Sequence, residues 1–205
     1  MEAIFTLPYS EYESIVQTQK RMKKDSYSVF VPVSRQQKGI DFLILNLRNN
    51  KNLRVQVKSS RSYVLKEKKN HTNKQRFDYN FLFNNFSDKY HRGLADIYYL
   101  FGLYQEYKTD KKVNSKMGIW KSFILVFTDE EMGDFLSHIK TKNENKTDTR
   151  FSLGFDELNK FVLSRGKFEG TQFGDEYLLE NRYMDLEKQL NSNAINSMKI
   201  VWKDS

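Results

Sequence analysis

The sequence contains no cysteine, only two prolines and only three histidines in 205 residues. The absence of cysteine excludes disulfides, a thiolate nucleophile and thiolate zinc sites. The histidines, His71, His91 and His138, lack the close spacing of metal ligands along the chain. A cysteine-free chain suits a reducing compartment, and we expect a cytoplasmic protein.

Long apolar runs are also missing from the sequence. No run approaches the roughly 18 residues that a membrane-spanning helix requires. The first residues, "MEAIFTLPYSEYES", carry an acid directly after the methionine and do not follow the basic-then-apolar order of a signal peptide. We therefore expect no membrane partner.

Basic and aromatic residues are abundant instead. Thirty-four Lys and Arg outnumber 26 Asp and Glu, which gives a net charge of +8. Such a charge favours contact with a polyanion such as nucleic acid or an anionic membrane surface. With 39% hydrophobic and 15% aromatic residues the chain can bury a core, and its length fits a single domain over residues 1–205.

Hydrophobic periodicity predicts both helices and strands. Apolar residues at helical spacing predict a helix from Ser10 to Lys24, and alternation predicts a strand in "YSVFVPVS" and a hairpin in "GIDFLILNLRNNKNLRVQVKSS". We expect further strands in "DYNFLFNNF", "LADIYYLFGLYQ" and "IWKSFILVFT", a helix in "DEEMGDFLSHIK", and a mostly helical C-terminal part over about residues 150–205. This order predicts an α/β (α+β) fold whose mixed central sheet is flanked by helices.

The hairpin carries three polar groups at one end. Side chains alternate between the two faces of a strand, so Gln56 and Lys58 share a face. Matching the apolar residues of the two strands pairs Phe42 with Val57, which places Asp41 opposite Lys58. The hydrophobic pattern therefore predicts that an acid, an amide oxygen and an amine lie in one small patch.

This patch has the chemistry of a metal-dependent hydrolytic site. A carboxylate and an amide oxygen are hard ligands that suit Mg²⁺. A neighbouring ammonium can stabilise charge on a phosphate or help to orient and deprotonate water. The alternative is an ordinary Asp41 to Lys58 pair on a solvent-facing surface, with Gln56 at the edge of the sheet.

"GID", the hairpin and "VQVKSS" resemble the core of the PD-(D/E)xK nuclease superfamily, which has the restriction-endonuclease-like fold. The resemblance covers about residues 10–140, including the preceding helix and strand and the following strands. It implies that Asp41 binds a metal, Gln56 is the second ligand and Lys58 is the catalytic lysine. It also implies Mg²⁺, with Mn²⁺ as a substitute, and metal-dependent hydrolysis of phosphodiester bonds by a DNA endonuclease of restriction, repair or mobile-element type.

Two positions depart from the pattern of that superfamily. Ile40 replaces the proline of the motif, which is not a ligand. Gln56 replaces the second acid, and a neutral amide oxygen binds a divalent cation less strongly than a carboxylate does. The alternative function is a nuclease-fold module that binds DNA with weak or no catalysis.

Many members of the superfamily add a glutamate from the first helix, for which Glu11 and Glu13 are the candidates here. At about 100° per residue, Glu11 lies nearer the apolar stripe that contains Ile15 and Met22. Glu11 is therefore the favoured third metal ligand. The alternative for each acid is stabilisation of the helix N-terminus through the helix dipole.

A basic segment follows Lys58 directly. Between residues 61 and 76 a single acid, Glu67, opposes six cations, Arg61, Lys66, Lys68, Lys69, Lys74 and Arg76. We expect these cations to contact the phosphates of nucleic acid, with double-stranded DNA as the partner. The alternative is a solvated loop. Cutting both strands of a duplex requires two active sites, which favours a homodimer.

Overall fold

The structure is a computed structural model that describes residues 8–32, 39–64, 79–83, 86–106, 119–139, 141–143, 146–147, 151–155, 161–165, 172–173 and 175–192. Its helices are α1 (Tyr9–Arg21), α2 (Phe86–Lys89), α3 (Asp129–Ile139) and α4 (Leu179–Asn191), with a 3₁₀ helix at Asp175–Tyr177. Its strands are β1 (Tyr27–Phe30), β2 (Phe42–Asn46), β3 (Asn52–Val64), β4 (Tyr79–Phe83), β5 (Ile97–Glu106), β6 (Ile119–Thr128), β7 (Thr141–Asn143), β8 (Lys146–Thr147), β9 (Phe151–Phe155), β10 (Phe161–Arg165) and β11 (Gln172–Phe173).

The main sheet is mixed, as the order of the predicted elements requires. Its strands follow the order β1-β2-β3-β5-β6, in which β3 and β5 are parallel and the other neighbours are antiparallel. Apolar residues of α1 and α4 pack on one face of these strands, and those of α3 pack on the other. The prediction of a mixed α/β fold flanked by helices is confirmed at this level.

Strand β5 is buried on both faces. Its residues Ile97, Tyr99 and Phe101 belong to the core beneath α1 and α4, whereas Tyr98 and Leu100 belong to the core beneath α3. Alternation of side chains sends successive residues to opposite layers. A continuous apolar run such as "IYYLF" therefore fits a central strand between two cores.

Strand β3 joins two parts of the sheet. Its first residues, 52–55, pair with β2, residues 55–61 pair with β5, and residues 62–64 pair with β4. From β4 the sheet continues through β9, β10 and β11. Gln56 and Lys58 thus lie in the middle of the strand that both parts share.

The prediction of a mostly helical part over residues 150–205 is wrong where the first half of this range is described. Phe151–Phe155 and Phe161–Arg165 are strands, and β9 pairs along its whole length with β4. Leu, Glu and Lys in this region favour a helix when only neighbouring residues are considered. Hydrogen bonds to the edge of β4, which is distant in sequence, outweigh that local preference. Among the residues described after 150, α4 and the short 3₁₀ helix before it are helical.

Helix α1 ends at Arg21 rather than at the predicted Lys24, because Met22 adopts an extended conformation with ψ of 149°. Both α1 and α4 contain 13 residues. No helix in the described ranges combines the length and the apolar character needed to cross a membrane.

A buried ion pair connects α3 and α4. Arg182 donates to both carboxylate oxygens of Glu131, at 2.9 and 3.0 Å, and both side chains are at most 2% exposed. Glu131 also accepts a hydrogen bond from the backbone of Thr128, whose hydroxyl accepts one from the backbone of Glu131 in return. This reciprocal arrangement is a capping box at the start of α3.

Candidate functional site

Asp41 lies at the edge of β3, immediately before β2 begins. Its backbone N–H donates to the carbonyl of Val55 at 2.8 Å, and its Oδ2 accepts the backbone N–H of Val57 at 2.6 Å. Strand β2 begins at Phe42, opposite Val55, and does not reach Val57. The Asp41 carboxylate therefore accepts the hydrogen bond of the Val57 backbone N–H in place of a strand partner. Two residues earlier the chain requires a glycine. Gly39 has a φ of +95°, and a Cβ at this position would lie only 2.3 Å from the side chain of Leu94.

The observed register of the hairpin differs from the predicted one by two residues. Phe42 pairs with Val55 rather than with Val57, so that Asp41 stands opposite Gln56 and not opposite Lys58. The turn causes the difference, because it spans residues 47–50 and includes Asn50 at φ 59°. A shift of two preserves the faces, and the three polar residues still share one side of the hairpin.

Gln56 buries an unpaired amide oxygen. Its side chain is 4% exposed, and Oε1 has no hydrogen-bond partner among the residues that the structure describes. The neighbouring residue on β5 in the parallel register is Tyr98, and burial raises the pKa of its hydroxyl to about 12. Gln56 Oε1 is therefore an acceptor held in an apolar environment, where most polar groups have partners.

Lys58 is half-buried on the same face as Gln56. Its Nζ lies 5.6 Å from the centroid of the Phe86 ring, within the range of a cation–π contact. Burial lowers the pKa of Lys58, and the positive charge of Lys89 lowers it further, while the charges of Asp41 and Glu11 raise it. The amine therefore has two carboxylates and a second cation in its surroundings.

The two candidate glutamates of α1 have different surroundings. Glu11 lies on the side of the helix that buries Ile15 and Thr18, and its charge acts on Lys58. Glu13 instead accepts a hydrogen bond from Gln17 at 2.5 Å, one turn further along α1. Glu11 is thus the acid of α1 whose charge acts on Lys58, although the apolar residues of α1 pack on the face of the sheet opposite to Gln56 and Lys58.

The basic segment is only partly described. Arg61 continues β3 and is exposed, whereas the predicted phosphate contacts Lys66, Lys68, Lys69, Lys74 and Arg76 lie outside the described residues. Ser60 donates to the carbonyl of Leu82 at 3.0 Å, which ties this part of β3 to β4.

An ion pair that no local pattern in the sequence predicts lies two residues before Gln56 on β3. Arg54 contacts Asp96 through Nη2 at 2.8 Å and Nε at 3.1 Å, and its backbone N–H also donates to Asp96 at 2.8 Å. The two residues meet because β3 and β5 run parallel, and the side-chain pattern of either strand alone carries no signal of that pairing. Asp96 is therefore engaged in holding the start of β5 against β3.

The donor set is suited to a hard divalent cation. Asp41 and Glu11 supply carboxylates and Gln56 supplies a buried, unpaired amide oxygen, all of which are ligands that Mg²⁺ accepts. Within the described ranges no three Asp, Glu or His side chains cluster as a metal site. A metal here would therefore combine at most two acids with Gln56 and with oxygens of water or substrate.

Comparison with protein-family models, with curated proteins and with solved structures finds no match for this chain. The function is therefore inferred from the geometry of the residues themselves.

Proposed function

We propose that the protein hydrolyses phosphodiester bonds in nucleic acid, as a metal-dependent DNA endonuclease with a restriction-endonuclease-like core. The observation that carries the proposal is the buried Oε1 of Gln56, unpaired among the described residues, beside Asp41 and on the face of Lys58. Leaving such an oxygen without a partner costs about 1–3 kcal/mol. A bound cation would provide the partner.

The order of elements supports the proposed core. Helix α1 and β1 precede the hairpin of β2 and β3, and β5 and β6 follow it, which is the order that the resemblance implies. Asp41 precedes β2, and Gln56 and Lys58 lie on β3, as they would in that family.

Asp41, Gln56 and Glu11 would hold the metal. When bound, Mg²⁺ would polarise the scissile phosphate and lower the pKa of a coordinated water. The backbone N–H of Val57 fixes the Asp41 carboxylate at one oxygen, so the acid is oriented before any ligand arrives. Burial of Gln56 restricts its rotamers and holds its oxygen in the same patch.

Lys58 would act on the phosphate and on the attacking water. Because burial lowers its pKa, the amine gives up a proton more readily than an exposed lysine does. In its charged form it stabilises negative charge on the phosphate oxygens; in its neutral form it accepts a proton from water. Phe86 under the ammonium restricts where that charge can lie.

The test is DNA cleavage with supercoiled plasmid and single-stranded circular DNA as substrates. Wild-type protein should nick DNA with Mg²⁺ or Mn²⁺ and not with EDTA. Lys58→Ala should reduce cleavage at least about 100-fold, the typical contribution of a general acid or base. Lys188→Ala is the matched control, because Lys188 is 65% exposed on α4 and bonds to Asp185.

Two results would overturn the proposal. One is the absence of metal-dependent cleavage of either DNA by the wild-type protein, and salt-sensitive DNA binding without cleavage would then favour the binding-module alternative. The other is near-normal cleavage by Lys58→Ala, which would remove this lysine from the chemistry.

A further inference from the structure

A short stretch of exposed cations lies where the chain leaves α2. We call residues 89–93 the basic turn. Its side chains Lys89, His91 and Arg92 are exposed, and no acid occurs in the turn or in the two residues after it. Within the described part of the chain, neither Lys89 nor Arg92 forms a salt bridge. The basic turn therefore presents two positive charges that the described residues leave uncompensated.

The basic turn adjoins the candidate site through Phe86. The centroid of the Phe86 ring is 5.6 Å from Nζ of Lys58. The same ring packs against Tyr98, which is the neighbour of Gln56 in the register with β5. Lys89 follows Phe86 by three residues on α2, so the Cβ atoms of the two residues are about 5–6 Å apart. The basic turn and the candidate site therefore lie on the same face of the sheet.

Hydrogen bonds to the start of α3 fix the basic turn in place. The Tyr90 hydroxyl lies 2.9 Å from both the carbonyl oxygen and Oδ1 of Asp129, and the backbone N–H of Gly93 donates to Oδ2 at 2.8 Å. A Cβ at Gly133 on α3 would lie only 2.8 Å from the Tyr90 hydroxyl, so the glycine leaves space for this anchor. Charges on an anchored backbone lose less conformational freedom on binding than charges on a flexible loop.

We propose that the basic turn binds the phosphate backbone of nucleic acid beside the candidate site; the inference rests on the proposed hydrolysis and adds a binding surface for the same substrate. The anion that the proposed chemistry brings to Lys58 is one phosphate in a chain of phosphates. Its neighbours on the same strand therefore come within reach of Lys89 and Arg92. Contacts of this kind position a nucleic acid without reading its sequence.

The number of phosphate contacts is predicted to be two. Arg54 also lies on the face of Gln56, but Asp96 pairs with its guanidinium at 2.8 Å and compensates its charge. Lys89 and Arg92 are then the cations that add to binding at this corner of the described structure.

The experiment measures binding in EDTA, where metal-dependent hydrolysis is blocked. Fluorescence anisotropy gives the affinity for a labelled DNA duplex as a function of salt. Lys89→Gln with Arg92→Gln should make the slope of log affinity against log salt shallower by about 1.8, because two phosphate contacts are lost. The loss of affinity relative to the wild type should therefore be about 12-fold smaller at about 200 mM salt than at about 50 mM.

Two variants serve as controls. Arg48→Gln with Lys188→Gln removes the same charge elsewhere, since Arg48 is exposed in the hairpin turn and Lys188 is 65% exposed on α4. This control should keep the wild-type slope. Lys89→Arg with Arg92→Lys retains both charges of the basic turn and should also keep the wild-type slope.

An unchanged slope in Lys89→Gln with Arg92→Gln would overturn the inference. An equal change in Arg48→Gln with Lys188→Gln would also overturn it, because the effect would then follow net charge alone. Adding Mg²⁺ separates the two proposals. A shallower slope without metal-dependent cleavage overturns only the hydrolysis, and Lys58-dependent cleavage with an unchanged slope overturns only the binding by the basic turn.

Discussion

Two side chains at the candidate site occupy positions that reduce the stability of the fold. Gln56 buries an amide oxygen without a partner among the described residues, and Lys58 holds its amine where burial disfavours the charge. Neither group fills the core beneath α1 and α4. The apolar residues of the hairpin face that core, whereas Gln56 and Lys58 face the opposite side of the sheet. Polar groups retained at such a cost are typical of binding and catalytic sites.

The first prediction at the residue scale concerns Gln56 as the proposed metal ligand. Gln56→Glu adds a charged oxygen beside Asp41, and we expect tighter Mg²⁺ binding by titration calorimetry. Because the added carboxylate is buried next to another acid, Mg²⁺ should also raise the melting temperature more in this variant than in the wild type.

The matched control for this substitution is Gln189→Glu. Gln189 is 8% exposed and also buries an Oε1 that has no partner among the described residues, but it lies on α4. Its replacement should leave Mg²⁺ affinity unchanged. If Gln56→Glu likewise leaves the affinity unchanged, residue 56 does not contact the metal.

The second prediction concerns pH. The pKa of Lys58 in the folded state is lowered, so its charge destabilises the fold fully below that pKa and ceases to do so near the unfolded value of about 10.4. Lys58→Met should therefore raise the free energy of unfolding at pH 7, and the gain should shrink as the pH rises towards about 10.4. Urea denaturation at several pH values measures it.

Lys188→Met provides the comparison, because Lys188 is 65% exposed and its replacement should give no such pH-dependent gain. A loss of stability in Lys58→Met at pH 7, or a difference that does not vary with pH, would contradict the assignment of a penalty to the buried charge.

At the scale of elements, α3 and α4 are held together across the end of β6. Arg182 bonds to Glu131 on α3 and to the carbonyl of Val126 on β6 at 3.1 Å, and its guanidinium lies over the Tyr177 ring. Leu178 also bridges to Leu125, so the chain before α4 protects part of the edge of β6. This junction orders the strand that supports β5 and, through it, β3.

Removing one partner of the ion pair between Arg182 and Glu131 should lower the stability of the protein strongly. Arg182→Met leaves the carboxylate of Glu131 buried without its partner, and we expect a loss of about 3–5 kcal/mol in the free energy of unfolding. The double variant Glu131→Gln with Arg182→Met should recover a large part of that loss, because the glutamine keeps an oxygen for the backbone of Thr128. Chemical denaturation of both variants tests this, and equal losses would contradict it.

At the scale of the whole molecule, positive charge is the dominant feature. The net charge is +8, and at the candidate site the charge of Lys89 acts on Lys58. A net positive charge of this size would speed association with nucleic acid, as proposed above, and would make the binding depend on salt.

The prediction at this scale uses the basic segment after β3. Replacing Lys66, Lys68 and Lys69 with Gln reduces the net charge by three, from +8 to +5. If all three contact duplex phosphates, the slope of log affinity against log salt should become shallower by about 2.7, or about 2.1 for a single strand. Cleavage at low salt should fall much less than in Lys58→Ala.

The control removes the same charge elsewhere, by replacing Lys20, Lys23 and Lys24 at the end of α1 with Gln. These lysines are exposed and lie outside the segment after β3. A shallower slope in the control and an unchanged slope in the first variant would mean that the nucleic acid runs past α1 instead.

Much of the local structure follows from local patterns in the sequence. Alternation assigned the residues of the hairpin to their faces, and helical spacing favoured Glu11 over Glu13 as the acid nearer the sheet. Helix α3 and the strands β1, β2, β4, β5 and β6 lie in the segments where they were predicted, and β3 continues four residues past the predicted hairpin, to Val64. Each of these features depends on residues a few positions apart, whose relation is set by backbone geometry.

Features that depend on distant residues were decided only by the tertiary structure. Strands β9 and β10 form because β4 and each other supply their backbone partners, against a helical local preference. The register of the hairpin followed the conformation of its turn, and the pairs Arg54–Asp96 and Glu131–Arg182 join residues 42 and 51 positions apart. The sequence by itself determined which side chains share a face. Which of them meet depended on strand pairing and helix packing, because those contacts are long-range and no local pattern contains them.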